Sequence, residues 1–168
     1  MPGVRVRPAR ESDVPALLAL QAECHAAELQ ESAACLRAIL AHGCSFVALH
    51  ADAVVGYALA HDGEQAVLDA VPAASGAACS DAWFLHDVAV SAAARGSGVA
   101  RALVDAALAR AAERGAAHAH LVALPGTARL WTRFGFAACA AGAYADAASY
   151  GPGATHMRAA LRQTQQRP

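Results

Sequence analysis

One short stretch limits what this chain can fold into more than any other. An apolar run, Trp83 to Val90, is followed by Arg95-Gly96-Ser97-Gly98-Val99-Ala100, and then by apolar residues at helical spacing (Val99, Leu103, Val104, Ala107, Leu108, Ala111). The expected structure is a strand, a tight glycine turn and a helix. Gly96 and Gly98 carry no Cβ, so the backbone is free to take positive φ and to lie close to a ligand. The first N–H groups of the helix lack internal partners and point outward at the positive end of the helix dipole. Arg95 adds a forked cation beside them. Such a device suits a pyrophosphate.

Two common owners of a pyrophosphate turn fail on specifics. A dinucleotide-binding fingerprint needs G-x-G-x-x-G near the first strand, but this turn lies past mid-chain and its third glycine is missing. A phosphate-binding P-loop needs a lysine, and the chain has none. With a formal net charge of −1, the chain lacks the basic footprint of a nucleic-acid binder, so nucleic acid is excluded as the expected partner. Arg95, Arg101 and Arg110 cluster about the turn and favour a small polyanion. No apolar run reaches the roughly 20 residues of a membrane span. The start of the chain, Met1 to Arg10, has no signal-peptide pattern. The five cysteines (Cys24, Cys35, Cys44, Cys79, Cys139) are scattered, which fits a reduced cytoplasmic setting without disulfides or zinc.

The rest of the chain reads as a single domain, 1–162, with a polar tail, 163–168. Val4 to Arg7 alternates as a first strand. Ser12 or Asp13 is expected to cap a helix through Cys24, with Pro15 in its first turn. A second helix is expected over Gln30 to Ala41, stopping at Gly43. Cys44–His50 and Val54–His61 read as a hairpin about Ala51-Asp52-Ala53. Asp62 to Asp81 is weakly patterned and reads as an irregular connection. Trp83–Val90 is a strand, Ser97–Arg114 a helix and His118–Leu124 a strand. Thr127 is expected to cap a helix over Ala128–Phe134, and Phe136–Tyr144 and Ala154–Leu161 are the last strands. The order β-α-α-β-β-β-α-β-α-β-β implies an α/β (α+β) fold: one mixed, mostly antiparallel sheet with helices on both faces.

The turn, with its neighbours, resembles the GNAT superfamily of acyl-CoA-dependent N-acetyltransferases. That family's pattern, Gln or Arg, two residues, Gly, one residue, Gly or Ala, is matched by Arg95, Gly98 and Ala100. The likeness extends upstream through Leu85-His86-Asp87-Val88-Ala89-Val90. It extends downstream through Leu130-Trp131-Thr132-Arg133-Phe134-Gly135-Phe136, similar to the family's LYEKLGF-type segment. The element order matches as well. The resemblance implies acetyl-CoA as co-substrate, without a metal. It implies that the pyrophosphate lies on the N–H groups of Gly96, Ser97, Gly98, Val99 and Ala100. The pantetheine arm would pair with the backbone of Val88 and Val90, at a splay near Ala89 to Val90. A backbone N–H there would polarise the thioester carbonyl.

Acetyl transfer to an amine needs a neutral nucleophile. Deprotonating an ammonium of pKa about 10.4 near pH 7.4 costs roughly 4 kcal/mol, so a positioned base helps. Asp87 is the leading candidate: it matches the position where some members carry a catalytic Glu. Phe84 and Leu85 beside it are expected to raise its pKa. His86 is adjacent but is expected to face the other side of the sheet. The phenol that often protonates the departing thiolate in this family is replaced here by Trp131. The family's frequent Asn after strand five is also missing, since Pro125-Gly126-Thr127 stands there. Tyr150 is the replacement candidate, with Tyr144 second. For both, the plainer reading is a half-buried aromatic that closes the loop.

His118 and His120 share a strand face, but no further ligand joins them in sequence, so packing or surface is expected rather than metal. Trp131 and Phe134 read as core. Glu23, His25, Glu28 and Glu31 fall where the first two helices meet, a region that in this family walls the acceptor pocket; a solvated helix face is the plainer reading. No cysteine is placed for an acyl-enzyme, so direct attack in a ternary complex is expected. The acceptor, a small-molecule amine or a peptide, is not readable, and dimers are common among the proteins it resembles. An acyl-CoA-binding sensor without catalysis, or a nucleotide-binding regulator, are the rival readings.

Overall fold

A computed structural model describes residues 3–62, 82–140 and 150–161. Its strands are β1 (Arg5–Pro8), β2 (Phe46–His50), β3 (Ala53–Asp62), β4 (Ala82–Val90), β5 (His118–Ala123), β6 (Ala137–Ala138) and β7 (Thr155–Ala160). Its helices are α1 (Val14–Cys24), α2 (Ala33–Ala41), α3 (Val99–Glu113) and α4 (Ala128–Thr132), with three short 3-10 turns between. The order of strands and helices along the chain is the one the sequence pattern implies. The seven strands form one sheet in the order β1-β2-β3-β4-β5-β7-β6. The β1–β2, β2–β3, β5–β7 and β6–β7 pairs are antiparallel, and β4–β5 is parallel.

The chain divides into two compact units. The first comprises Met1–His61 and Leu85–Ala107. In α1 the buried positions Val14, Leu17, Leu20 and Gln21 fall on one face, three and four residues apart. In α2 they are Cys35, Leu36 and Ile39. Each fully buried leucine removes from water an apolar side chain worth about 1.5–3 kcal/mol, and Leu17, Leu36, Leu59 and Leu103 are all at 0% exposure. The β2–β3 turn holds only Ala51 and Asp52, at φ 48° and 65°. Both lie in the left-handed region that closes a two-residue hairpin with the right twist, so β3 starts at Ala53, earlier than the alternation suggested.

Local signals missed several ends. Asp13 stands before α1, but its carboxylate does not cap that helix. It turns back to accept from the Arg10 N–H at 2.8 Å and from both Arg7 terminal nitrogens at 2.7 and 2.8 Å. This forked ion pair satisfies the carboxylate better than one orphan helix donor would. The Arg7 guanidinium holds the Asp13 carboxyl below the usual carboxylate range. Helix α2 starts at Ala33, not Gln30, because Ser32 caps it by accepting from the Cys35 N–H at 3.1 Å.

The second unit comprises Asp62–Phe84 and Leu108–Pro168. The parallel ladder pairs Ala82, Trp83 and Phe84 with His118, Ala119 and His120. Strand β5 alternates cleanly, burying Ala119, Leu121 and Ala123. Trp83, Phe84, Leu121, Phe136 and Met157 are among the buried side chains here. Thr127 precedes α4, but its hydroxyl donates to the Leu124 carbonyl at 2.8 Å and does not cap the helix. Helix α4 ends at Thr132 rather than Phe134. Trp131 and Phe134 are half-buried, not core; Trp131 packs edge-on against Phe136, which is buried. Of the strand expected over Phe136–Tyr144, the described residues form β6 at Ala137–Ala138. Tyr144, Cys79, the connection over 63–81 and the tail over 163–168 lie outside the described residues. Among the described residues no helix is long and apolar enough to cross a membrane.

Candidate functional site

The glycine turn and the start of α3 belong to the first unit. The turn takes the conformation its glycines permit: Gly96 is at φ 74° and Gly98 at φ 85°. A Cβ at either position would meet nothing within 4 Å, so the space over both is open. The first helical bond runs from the Ala102 N–H to the Gly98 carbonyl at 3.0 Å. The N–H groups of Val99 and Ala100 therefore have no partner one turn back in the helix. The Ser97 hydroxyl donates to the Ala94 carbonyl at 2.5 Å and ties the turn to the segment before it. Arg95, before the turn, is engaged by its own neighbours. Its Nε donates to the Val90 carbonyl at 3.3 Å and its Nη2 lies 3.8 Å from the Cys24 sulfur.

Gly56, on β3, places this helix. A Cβ there would come within 3.0 Å of the Ala89 carbonyl oxygen, 3.1 Å of Val99 and 3.2 Å of Leu103. Only a residue without a side chain lets β4 and α3 approach β3 so closely. A lone glycine inside an apolar strand is the sequence signal for such an approach.

Asp87 lies on β4 in a polar setting, not the apolar one expected from Phe84 and Leu85. Its Oδ2 accepts from the Tyr57 hydroxyl at 2.5 Å and is 3.0 Å from His25 Nε2. Burial and the neighbouring Asp87 carboxylate push the Tyr57 phenol far up, so it stays protonated and must donate. The hydrogen bond to Asp87 raises His25. The sequence signal for Tyr57 is a phenol within the apolar run of β3, which local pattern does not connect to Asp87.

His86 departs from the expected alternation. Its Nε2 is 3.1 Å from Glu31 Oε1, and its ring stacks at a tilt 5.9 Å from buried His61. His61 and Tyr57 are four residues apart on β3, so a regular strand puts them on one face. Consecutive residues His86 and Asp87 thus both reach partners on that face and in the α1–α2 connection, which breaks the alternation of β4 here. The His86 hydrogen bond holds the Glu31 carboxyl below its ordinary value.

The acidic residues between the first two helices are mostly engaged rather than solvated. Glu31 pairs with His86, and Glu23 accepts from the Ala92 N–H at 2.6 Å. Gln21, 1% exposed, clamps the Glu31 backbone through both its amide atoms, at 2.9 and 3.3 Å. Glu28, in a 3-10 turn, is exposed and fits the solvated reading, and Glu23 is exposed as well despite its bond to Ala92. Val88 and Val90 are half-buried and Ala89 is buried.

Tyr150 lies in the second unit, half-buried, just before Gly151. In that unit His120 Nδ1 is 3.0 Å from His156 Nε2, with the rings stacked 5.1 Å apart. Burial and the neighbouring His156 push His120 down to about 4. Among the described residues no group of three or more His, Cys, Asp or Glu is arranged to hold a metal ion.

The family model for the acetyltransferase (GNAT) family matches residues 12–136. The chain belongs to the GNAT family. Comparison with curated proteins returns no match. Solved structures share the fold. N-acetylglutamate synthase from Neisseria gonorrhoeae, complexed with coenzyme A and N-acetyl-glutamate, aligns at TM-score 0.73 and 18% identity. That alignment covers 96% of this chain and 36% of the synthase, so this GNAT chain spans about a third of that protein's length. Rv2747 from Mycobacterium tuberculosis, in complex with CoA, aligns at TM-score 0.69 and 23% identity, covering 94% of this chain and 99% of that one. The ribosomal-protein-S18-alanine N-acetyltransferase from Escherichia coli aligns at TM-score 0.65 and 16% identity, covering 98% of both chains.

Proposed function

We propose that this GNAT protein is an N-acetyltransferase that moves the acetyl group of acetyl-CoA to a primary amine by direct attack in a ternary complex. One observation carries the reading: the open glycine turn at the start of α3, with helix N–H groups unpaired beside it, in a chain of this family. The N–H groups of Gly96, Ser97, Gly98, Val99 and Ala100 receive the pyrophosphate. The β4 backbone at Val88, Ala89 and Val90 receives the pantetheine arm. Structural neighbours with bound CoA support this co-substrate. Asp87, held by Tyr57 and His25, drives removal of the amine's proton. We assign the acceptor to small amines or peptide amino groups, since one neighbour holds N-acetyl-glutamate and another is named for acetylating a protein alanine. The proposal extends to one functional domain over 1–162, a cytoplasmic setting and a homodimer.

A second reading is an acyl-CoA-binding module without turnover. It is favoured by the engagement of Asp87 Oδ2 with two donors. Two measurements separate the readings. Acetyl-CoA is expected to raise the thermal midpoint, where ATP and NAD do not. A screen of amino acids, polyamines and short peptides, monitored by release of the CoA thiol, is expected to find turnover. Stabilisation by acetyl-CoA with no turnover of any amine selects the binding module.

A further inference from the structure

We propose that Nδ1 of His25 is the first acceptor of the amine's proton, with Asp87 and Tyr57 as the residues that position it. The inference rests on the acetyltransferase reading and deepens it. An aspartate carboxylate only accepts hydrogen bonds. The contact at 3.0 Å therefore requires a hydrogen on His25 Nε2. That fixes the neutral tautomer and leaves the Nδ1 lone pair free. Among the described residues the His25 ring has no other partner. The Tyr57 hydroxyl donates to the same Oδ2 and holds the carboxylate in place. Behind the ring, the His25 N–H donates to the Gln21 carbonyl at 2.8 Å, and Gln30 Nε2 donates to the His25 carbonyl at 3.0 Å. The residue is thus anchored through its backbone and through one ring nitrogen, with the other nitrogen available. A base is oriented by a third group in the same way in hydrolytic triads.

The chemistry favours imidazole over carboxylate. General-base catalysis is most effective when the base titrates near the working pH. An ordinary histidine, near 6.5, meets that condition better than an ordinary aspartate, near 3.9. Asp87 from β4 faces His25 directly, Tyr57 from β3 donates to the same Asp87 oxygen, and Cys24, which precedes His25 on α1, lies 3.8 Å from Arg95 Nη2. Asp87 raises the imidazole. The C-terminal end of α1, which His25 closes, favours a cation as well. The reaction balances as follows. The substrate ammonium gives one proton to Nδ1, forming imidazolium. The free amine attacks the thioester carbonyl, a C–N bond forms, and the tetrahedral adduct collapses with loss of the C–S bond. The second nitrogen proton passes to the CoA thiolate, and His25 returns its proton to water.

The test has two arms. In the first, the His25 ring is titrated by NMR in the full chain, with His25→Gln identifying the signal. The expected result is the Nε2–H tautomer at high pH and a midpoint above 6.5, falling in Asp87→Asn. Tyr57→Phe, which removes one hydroxyl from a buried ring, moves the midpoint in the opposite direction. An Nδ1–H tautomer, or a midpoint that neither variant moves, overturns the proposal. In the second arm, the amine with the fastest turnover is carried into pH profiles of kcat/KM. His25→Gln is expected to lower kcat about 100-fold or more and to abolish the acidic limb, with the KM for acetyl-CoA unchanged. Asp87→Asn is expected to shift that limb to lower pH. Turnover with the limb intact in His25→Gln and absent in Asp87→Asn makes Asp87 the acceptor and overturns this proposal alone. No turnover of any amine by the wild type overturns the acetyltransferase reading with it.

Discussion

The glycine turn and the Asp87 cluster both belong to the first unit, and they are built in opposite ways. The turn is made of backbone. The groups it offers are N–H donors, which every residue but proline carries, and its requirements are two positive φ angles and two missing Cβ atoms. The cluster is made of side chains. It needs Tyr57 from β3, His25 and Glu31 from the α1–α2 region, and His86 and Asp87 from β4, each within hydrogen-bond reach. A backbone site tolerates changes in chemistry but not in shape. A side-chain site tolerates neither loss of a partner nor loss of charge, since each buried polar group left unpaired costs about 1–3 kcal/mol.

The comparison is sharpened most by Asp87→Asn. Turnover with acetyl-CoA and a responsive amine is expected to fall by about 100-fold or more, while acetyl-CoA affinity by calorimetry stays within about two-fold. An equal loss in both would break the separation of the two regions. Gly98→Val is the mirror image: acetyl-CoA affinity is expected to fall at least about ten-fold, equivalent to 1.4 kcal/mol. Part of that loss is obstruction of the phosphate. The left-handed backbone adds about 1–2 kcal/mol of strain to the fold, read as a lower denaturant midpoint.

Gly56→Ala probes the point where the two regions share support, because its Cβ would press on Ala89, Val99 and Leu103 together. A stability loss of about 1–3 kcal/mol is expected, with affinity and turnover falling in parallel. The smallest effect is the response of the cluster to pH. His25 is raised in the folded state, so its contribution is full below 6.5 and is lost as pH rises through its folded value. Glu31 is lowered, so its contribution is full above 4.5 and is lost as pH falls through its folded value. Thermal midpoints from pH 6 to 9 are expected to decline more steeply in the wild type than in His25→Gln. In the second unit His120 is depressed to about 4, so the unfolded chain takes up protons first and stability falls as pH drops from 6.5 towards 4. His120→Leu is expected to flatten that acidic decline and to leave the alkaline one unchanged.

The contrast also explains what was legible. The order of strands and helices, the face of α3 formed by Val99, Leu103, Val104 and Ala107, and the turn itself all follow from spacing within about 15 residues. The ends of elements were less legible. At Asp13 and Thr127 the right residue type stood at the right place but spent its hydrogen bonds elsewhere. Asp13 was drawn away by Arg7, on a neighbouring strand, which no local rule weighs.

The sequence by itself determined the strand–turn–helix and the family, because glycine conformation, helix periodicity and unpaired helix N–H groups are properties of consecutive residues. Only the tertiary structure decided the company of Asp87. Tyr57 is 30 residues away and His25 is 62, and neither is related to Asp87 by any helical or strand period. The break in alternation that turns His86 and Asp87 to one face is likewise a matter of how β4 meets β3 and the α1–α2 connection. Backbone sites are written in short-range order, whereas a side-chain cluster exists only where packing brings distant residues within about 3 Å.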